Sequence, residues 1–227
     1  MTAEARILAK QPIAQGNGVP LAGGAVLQLS GIGPTRASVA ARAVLERGAT
    51  ALLSWGIAGG LGPELSPGSL ILPRVIIGAD RAAHLSDPAW HARLFSRLEG
   101  HVDLCTEALA ESAKVLRTAE EKADLYRLTD AFAVDMESGA VAAVAQAAGV
   151  PFAAIRAVAD SAGTEVPRAA LQAFDEFGQL NVTGLLDGLA HHPTELLALV
   201  LLGLHFRKAQ TTLKKVADRI GDDWALP

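Results

Sequence analysis

The segment from Phe132 to Asp160 (FAVDMESGAVAAVAQAAGVPFAAIRAVAD) constrains the fold more than any other stretch of the chain. Its second half, Phe152 to Ala159, is apolar at every position but Arg156. A strand without polar alternation is buried on both faces, which places it inside a sheet covered by helices on either side. Gly149, Val150 and Pro151 stop a preceding helix, Met136 to Ala148, rich in Ala and Val. Phe132 to Val134, in front of that helix, is a second short strand. Strand, helix and strand in succession read as a unit of an α/β fold.

The rest of the chain repeats the alternation. Gly24 to Ser30 reads as a buried strand, and Gly31 to Pro34 turns the chain into a helix that Pro34 opens and Gly48 stops. Ala49 to Ser54 is another strand. It leads into Gly56, Gly59, Gly60 and Gly62, a loop whose bare backbone lets a planar ring or a sugar approach closely. A turn at Pro67 and Gly68 precedes a strand from Ser69 to Ile77, and helices follow near Pro88 to Leu98 and Ala119 to Leu128. No Ser/Pro/Gly-rich linker or repeat divides the 227 residues, so residues 1–227 are expected to form a single domain with a helical tail at about 194–221.

Charge and composition narrow the function. A formal net charge of −4 gives no broad basic face for nucleic acid, and a small ligand in a local site is the expected partner. The single Cys105 allows no internal disulfide, and the opening residues lack the apolar core of a secretory signal, so the cytoplasm is the expected compartment. The longest apolar run, Leu196 to Leu204, falls well short of the ~20 residues of a membrane-spanning helix. Arg207, Lys208, Lys214, Lys215 and Arg219 follow it. That combination fits either a core or subunit-contact helix with a basic end, or a tail seated peripherally on an anionic membrane.

Several chemistries are disfavoured by missing parts. Gly31-Ile32-Gly33-Pro34-Thr35-Arg36 begins like a dinucleotide fingerprint, but Arg36 stands at the third glycine and no acid closes a second strand. The six histidines form no metal-binding spacing, so no metal site is expected, and there is no G-x-S-x-G elbow. What remains is carboxylates and backbone. Asp135 precedes a helix and reads first as its N-cap. Glu137 is either a first-turn residue favoured by the helix dipole or a ligand-binding group, since an unpaired carboxylate among Val, Met and Ala is costly. Asp160 ends its strand and is either paired with Arg156 or a catalytic acid or base.

These residues resemble a known family. Val134-Asp135-Met136-Glu137-Ser138, Val150-Pro151-Phe152, Ile155-Arg156 and Asp160 are similar, in order and spacing, to the signature of the nucleoside phosphorylase and hydrolase superfamily. Gly31-Ile32-Gly33 and Gly56-Ile57-Ala58-Gly59-Gly60 look like its phosphate-side and base-side loops. Glu4-Ala5-Arg6-Ile7, Gly33-Pro34 with Arg36, Leu72-Pro73-Arg74, Ala119-Glu120-Glu121-Lys122 and the apolar tail look most like its hopanoid-biosynthesis-associated branch.

The resemblance implies a three-layer α/β/α sandwich with a mixed central sheet, and an enzyme that breaks the N-glycosidic bond of a purine nucleoside. Asp160 would protonate the departing base at N7, and Glu137 would anchor the ribose hydroxyls. Ala58, Gly59, Met136 and Phe152 would line base and sugar. Gly33, Arg36, Arg6 and Glu4 would face phosphate or the attacking water, with Arg36 equally readable as a solvated helix residue. No cofactor is implied beyond inorganic phosphate as a co-substrate, and a homo-oligomer is expected. The substrate implied is an adenine nucleoside with a bulky apolar 5′ group, adenosylhopane. The alternatives are a methylthioadenosine or adenosylhomocysteine nucleosidase using water, and a nucleoside-binding module without turnover. Ile57 stands where many relatives carry Ser, and Ala159 stands before Asp160 where they have Ser, which leaves phosphate use open.

Overall fold

The computed structural model describes residues 2–9, 13, 18–172, 181–221 and 224. Helix α1 (Thr2–Leu8) is followed by strands β1 (Val19–Pro20) and β2 (Val26–Leu27), α2 (Pro34–Glu46), β3 (Leu52–Gly60), β4 (Leu70–Ile71), β5 (Val75–Ile77) and β6 (Ala83–Leu85). Then come α3 (Pro88–Leu98), β7 (Leu104–Cys105), β8 (Leu109–Glu111), α4 (Ala119–Thr129), β9 (Ala133–Asp135), α5 (Ser138–Ala148) and β10 (Phe152–Asp160). Helices α6 (Arg168–Gln172), α7 (Val182–His191) and α8 (Leu196–Ile220) complete the described chain.

Eight strands form one sheet in the order β6-β5-β8-β9-β3-β10-β4-β7. Its pairings are mixed: β10 runs parallel to β3 and antiparallel to β4, while β9 runs antiparallel to β3 and parallel to β8. All nine residues of β10 are buried, as a run apolar but for Arg156 predicts. Phe152, Ala154 and Val158 pack on one face with Leu52, Ala142 and Ala145. Ala153, Ile155, Ala157 and Ala159 pack on the other with Trp90, Leu94, Leu213 and Val216. Helices α2 and α5 therefore cover one face and α3 and α8 the other, giving the expected three layers.

Local signals set the element ends. Asp87 caps α3 by accepting from the Trp90 N–H. Thr118 and Glu121 form a reciprocal capping box on α4. Gly149 adopts the left-handed conformation that ends α5, with the Val150 N–H returned to Ala145 O.

Three expected elements differ. The strand expected over Gly24 to Ser30 is reduced to Val26–Leu27, which pairs antiparallel with Val19–Pro20 outside the main sheet and leaves Val26 55% exposed. Both edges of β3 are already taken by β9 and β10, so the main sheet has no place for it beside β3. The strand expected over Ser69 to Ile77 breaks at Pro73, which has no N–H to donate to a ladder, and its halves β4 and β5 lie far apart in the sheet. The glycine stretch is not a loop, since β3 continues through it to Gly60.

The two halves of the tail helix differ in burial. The C-terminal half of α8 is core, burying Ala209, Leu213, Val216 and Ile220. Its N-terminal half leaves Leu197, Val200, Leu201 and Leu204 exposed. Among the described residues, no helix is long and apolar enough to cross a membrane.

Candidate active site

Strand register brings the acids together. Asp160 at the end of β10 is opposite Gly59 of β3, Gly59 is opposite Val134 of β9, and Asp135 is opposite Glu111 of β8. Four adjacent strands thus carry Glu111, Asp135 and Asp160 at one end of the sheet, and the bare backbone of Gly60 leaves room for the Asp160 main chain, whose O a Cβ there would meet at 3.0 Å. Val134, Asp135, Met136, Glu137, Ala58, Gly59 and Asp160 line one cavity of about 1780 Å³.

Arg156 organises one side of the site. Strand parity turns it toward α5, where it is 4% exposed and must be paired. Its Nη2 lies 2.7 Å from Asp135 Oδ2 and 3.8 Å from Glu137 Oε2, and donates to Ser54 Oγ at 2.7 Å and Ser138 Oγ at 3.1 Å. The guanidinium occupies the space where a Cβ on Gly56 would sit, together with the Glu4 carboxylate. Gly56 is therefore a packing requirement of this cation. Burial alone would weaken the Arg156 charge, but Asp135, Glu137, Glu4 and Glu111 outweigh it and hold the guanidinium more firmly protonated than usual.

Asp135 is more than the expected cap. Its Oδ1 accepts from the Ser138 N–H at 3.1 Å while Oδ2 meets Arg156 and the Ser138 hydroxyl, so it serves helix and cation together. Helix α5 begins two residues later than expected, leaving Glu137 with non-helical angles. Glu137 Oε1 accepts the Gly33 N–H at 2.9 Å. Gly33, at φ 95, is in the region glycine adopts freely. Burial pushes the Glu137 carboxyl up, against the pull of Arg156.

Asp160 does not pair with Arg156, as one reading had it. Four residues along a strand span about 13 Å, out of reach of a direct ion pair here. It pairs instead with Lys122 of α4, which is 1% exposed and also donates to Ser161 O at 2.8 Å and Thr164 O at 2.9 Å. Burial pushes the Asp160 carboxyl up, and the Lys122 ammonium opposes that rise.

The other expected site residues scatter. Glu4, on helix α1, is buried, lines the cavity and accepts the Ile57 N–H at 2.9 Å. Arg36 is half-buried on the cavity wall. Two placements are corrected. Arg6, on α1 beside the buried Glu4–Ala5 pair, is exposed and is not among the residues that line the cavity. Phe152 is 4% exposed in the hydrophobic core, at the end of β10 remote from Asp160, because its apolar ring fills the space under α5. Among the described residues, no group of His, Cys, Asp or Glu is arranged to hold a metal.

Two buried charged residues have no role that the sequence assigns them: Lys122, which the sequence offers only inside a motif, and Glu111. Glu111 is 5% exposed, and its Oε1 has no hydrogen-bond partner among the described residues. Burial first, then the charge of Asp135, raises its carboxyl to about 7 from an ordinary 4.5. The fold thus binds this proton more tightly than the unfolded chain does, so the protonated form favours folding. That contribution is complete below about 4.5 and is lost as pH rises through about 7. Glu111→Gln, which imitates the protonated acid, is expected to raise Tm by about 2–6 °C at pH ~8 and to change it little at pH ~4.5. Thermal scans of both proteins at the two pH values check this, and an equal difference at both would contradict it.

With the geometry established, the family is clear. The model of the phosphorylase superfamily matches residues 21–189, and the chain belongs to that family of enzymes. The 5′-methylthioadenosine/S-adenosylhomocysteine nucleosidase of Anoxybacillus flavithermus is 29% identical over 168 residues, 62% of this chain and 69% of the relative. Among solved structures, the nucleosidase of the same name from Neisseria meningitidis, in complex with methylthio-immucillin-A, matches with TM-score 0.72 at 22% identity, over 98% of this chain and 96% of that one. Futalosine hydrolase of Helicobacter pylori matches with TM-score 0.68 at 19% identity, over 96% and 94%.

Proposed function

We propose that the chain hydrolyses the N-glycosidic bond of an adenine nucleoside carrying a bulky apolar 5′ group. The observation that carries this reading is the convergence of Asp160 and Glu137 on one cavity whose remaining wall is largely apolar. Bond cleavage leaves positive charge on the sugar and negative charge on the departing purine. A protonated group at the base and a carboxylate at the sugar oppose those charges where they develop. Asp160 serves the base, while Glu137, fixed by the Gly33 N–H and facing Arg156, serves the ribose. Adenine as the base is supported by the nucleosidase relatives, whose names specify adenosine derivatives.

Water is favoured as nucleophile over phosphate. The Gly33 N–H, which would otherwise face a phosphate, already binds Glu137, and Glu4 adds a second carboxylate on that side. A phosphate dianion there meets like charge. Glu4 is placed to accept a proton from the water.

The cavity exceeds the roughly 300–1,000 Å³ of ordinary small-ligand sites, so a nucleoside alone would leave it underfilled. Leu199, Val200, Leu202 and Phe206 of α8 and Leu171 of α6 line it. A triterpenoid such as that of adenosylhopane suits that wall, and the exposed Leu197, Leu201 and Leu204 on the same helix suit peripheral contact with a membrane holding such a substrate.

Adenosylhopane, methylthioadenosine and adenosylhomocysteine, each with and without inorganic phosphate, are the test. The expected products by mass are adenine and a free ribosyl compound, with adenosylhopane turned over fastest and faster still from anionic vesicles than from detergent. A ribose 1-phosphate would make the enzyme a phosphorylase. Faster turnover of the small nucleosides would assign the soluble-substrate alternative, and tight binding without adenine release would leave a binding module.

A further inference from the structure

Helix α4 is polar, yet it sends one lysine into the interior. The capping box at Thr118 and Glu121 fixes its first turn, and Lys122 follows directly with its side chain under Asp160. An ammonium has three N–H groups, and here each has an acceptor: the Asp160 carboxylate, Ser161 O and Thr164 O. These contacts fix Nζ against the Asp160 carboxyl, so that a proton on either member of the pair is shared with the other. With every N–H engaged, Lys122 has none for a ligand directly. What it does at the site, it does through Asp160.

We propose that Lys122 is the positioning residue that holds the proton Asp160 hands to the leaving base. The inference rests on the nucleosidase reading and adds the source of the proton. As the C1′–N9 bond breaks, its electron pair passes to the purine. One proton moves from Lys122 Nζ to the Asp160 carboxylate and on to the purine N7, leaving a neutral amine. Water adds its oxygen to C1′ and gives up one proton, and the amine regains a proton through solvent. Base and sugar leave neutral, and the pair is restored. His205 of α8 also acts on Asp160, and its buried Nδ1 has no hydrogen-bond partner among the described residues.

The distinguishing measurement is the pH dependence of kcat/KM. A proton held by the pair persists to alkaline pH, whereas a lone carboxylic acid would lose it nearer neutrality. The unaltered enzyme is expected to keep releasing adenine up to about pH 9. Lys122→Met is expected to be at least about tenfold slower at pH ~8, with its alkaline limb moved more than about one unit toward acid. A 4-nitrophenyl riboside with the same 5′ group needs no proton on its leaving group. Its loss on Lys122→Met is expected to be at least about tenfold smaller than the loss for adenine. His205→Ala is expected to leave the limb where it is.

A parent limb below about pH 7 would overturn the inference, and that measurement needs no variant to fold. Equal losses on both leaving groups, an unmoved limb in Lys122→Met, or a limb that follows His205 would overturn it as well. If the parent releases neither leaving group at any pH, the nucleosidase reading itself falls and takes this inference with it. Adenine release with the wrong limb removes only the role of Lys122.

Discussion

Asp160→Asn is expected to release adenine about 10²–10⁴-fold more slowly than the parent while binding the nucleoside within a few-fold. Asparagine keeps the size of the side chain and a carbonyl acceptor, but it cannot pass a proton to the base. The same change leaves the Lys122 ammonium buried without its carboxylate, at a cost of about 3 kcal/mol, or a Tm lower by roughly 6–12 °C. The two effects are separable. Adding Lys122→Met to Asp160→Asn removes the unpaired charge, so the double variant is expected to regain most of the lost Tm and none of the rate. Calorimetry with single-turnover adenine assays would decide it. An Asp160→Asn enzyme as fast as the parent would remove Asp160 from the chemistry.

The part of the site legible in sequence is the part carried by one continuous unit. The apolar run of β10, broken only by Arg156, predicts a central strand, and its end has to be a sheet rim, so Asp160 is placed without knowing what faces it. Glu137 followed from the same unit, because a carboxylate at the junction of a buried strand and an alanine-rich helix demands a partner. What stayed hidden comes from elements that sequence cannot bring together. Lys122 sits in a helix whose composition reads as solvated, and its partner is 38 positions away. Glu111 belongs to a three-residue strand too short to show that both its faces are buried.

The misplacements share a cause. Phe152 stands inside a motif that resembles the family's, yet a motif spans the whole strand and only one end of it reaches the cavity. The glycine stretch reads as a loop in sequence because glycine is rare within strands. Here the missing side chains make room for Arg156, Glu4 and Asp160, which only the sheet register reveals.

Arg156→Met is expected to cost about 3–5 kcal/mol near neutral pH, lowering Tm by roughly 10 °C or more. The loss is not that of a single ion pair. Asp135, Glu137, Glu4 and Glu111 all act on this one guanidinium, and without it their buried negative charges face one another. The sign of the pH response follows. Lacking Arg156, the Glu137 carboxyl, already pushed up by burial, loses the group that pulls it down and binds its proton more tightly still in the fold, so the variant gains stability relative to the parent as pH falls. The Tm gap between the two is therefore expected to narrow by about half between pH ~8 and pH ~5. A gap that stays constant would mean that Arg156 contributes by packing, and a variant as stable as the parent would mean that the carboxylates are held by their hydroxyl and backbone donors alone. Arg156→Lys separates charge from shape. It keeps the cation but cannot reach Asp135, Ser54 and Ser138 at once, so it is expected to recover the pH response while regaining only part of the stability.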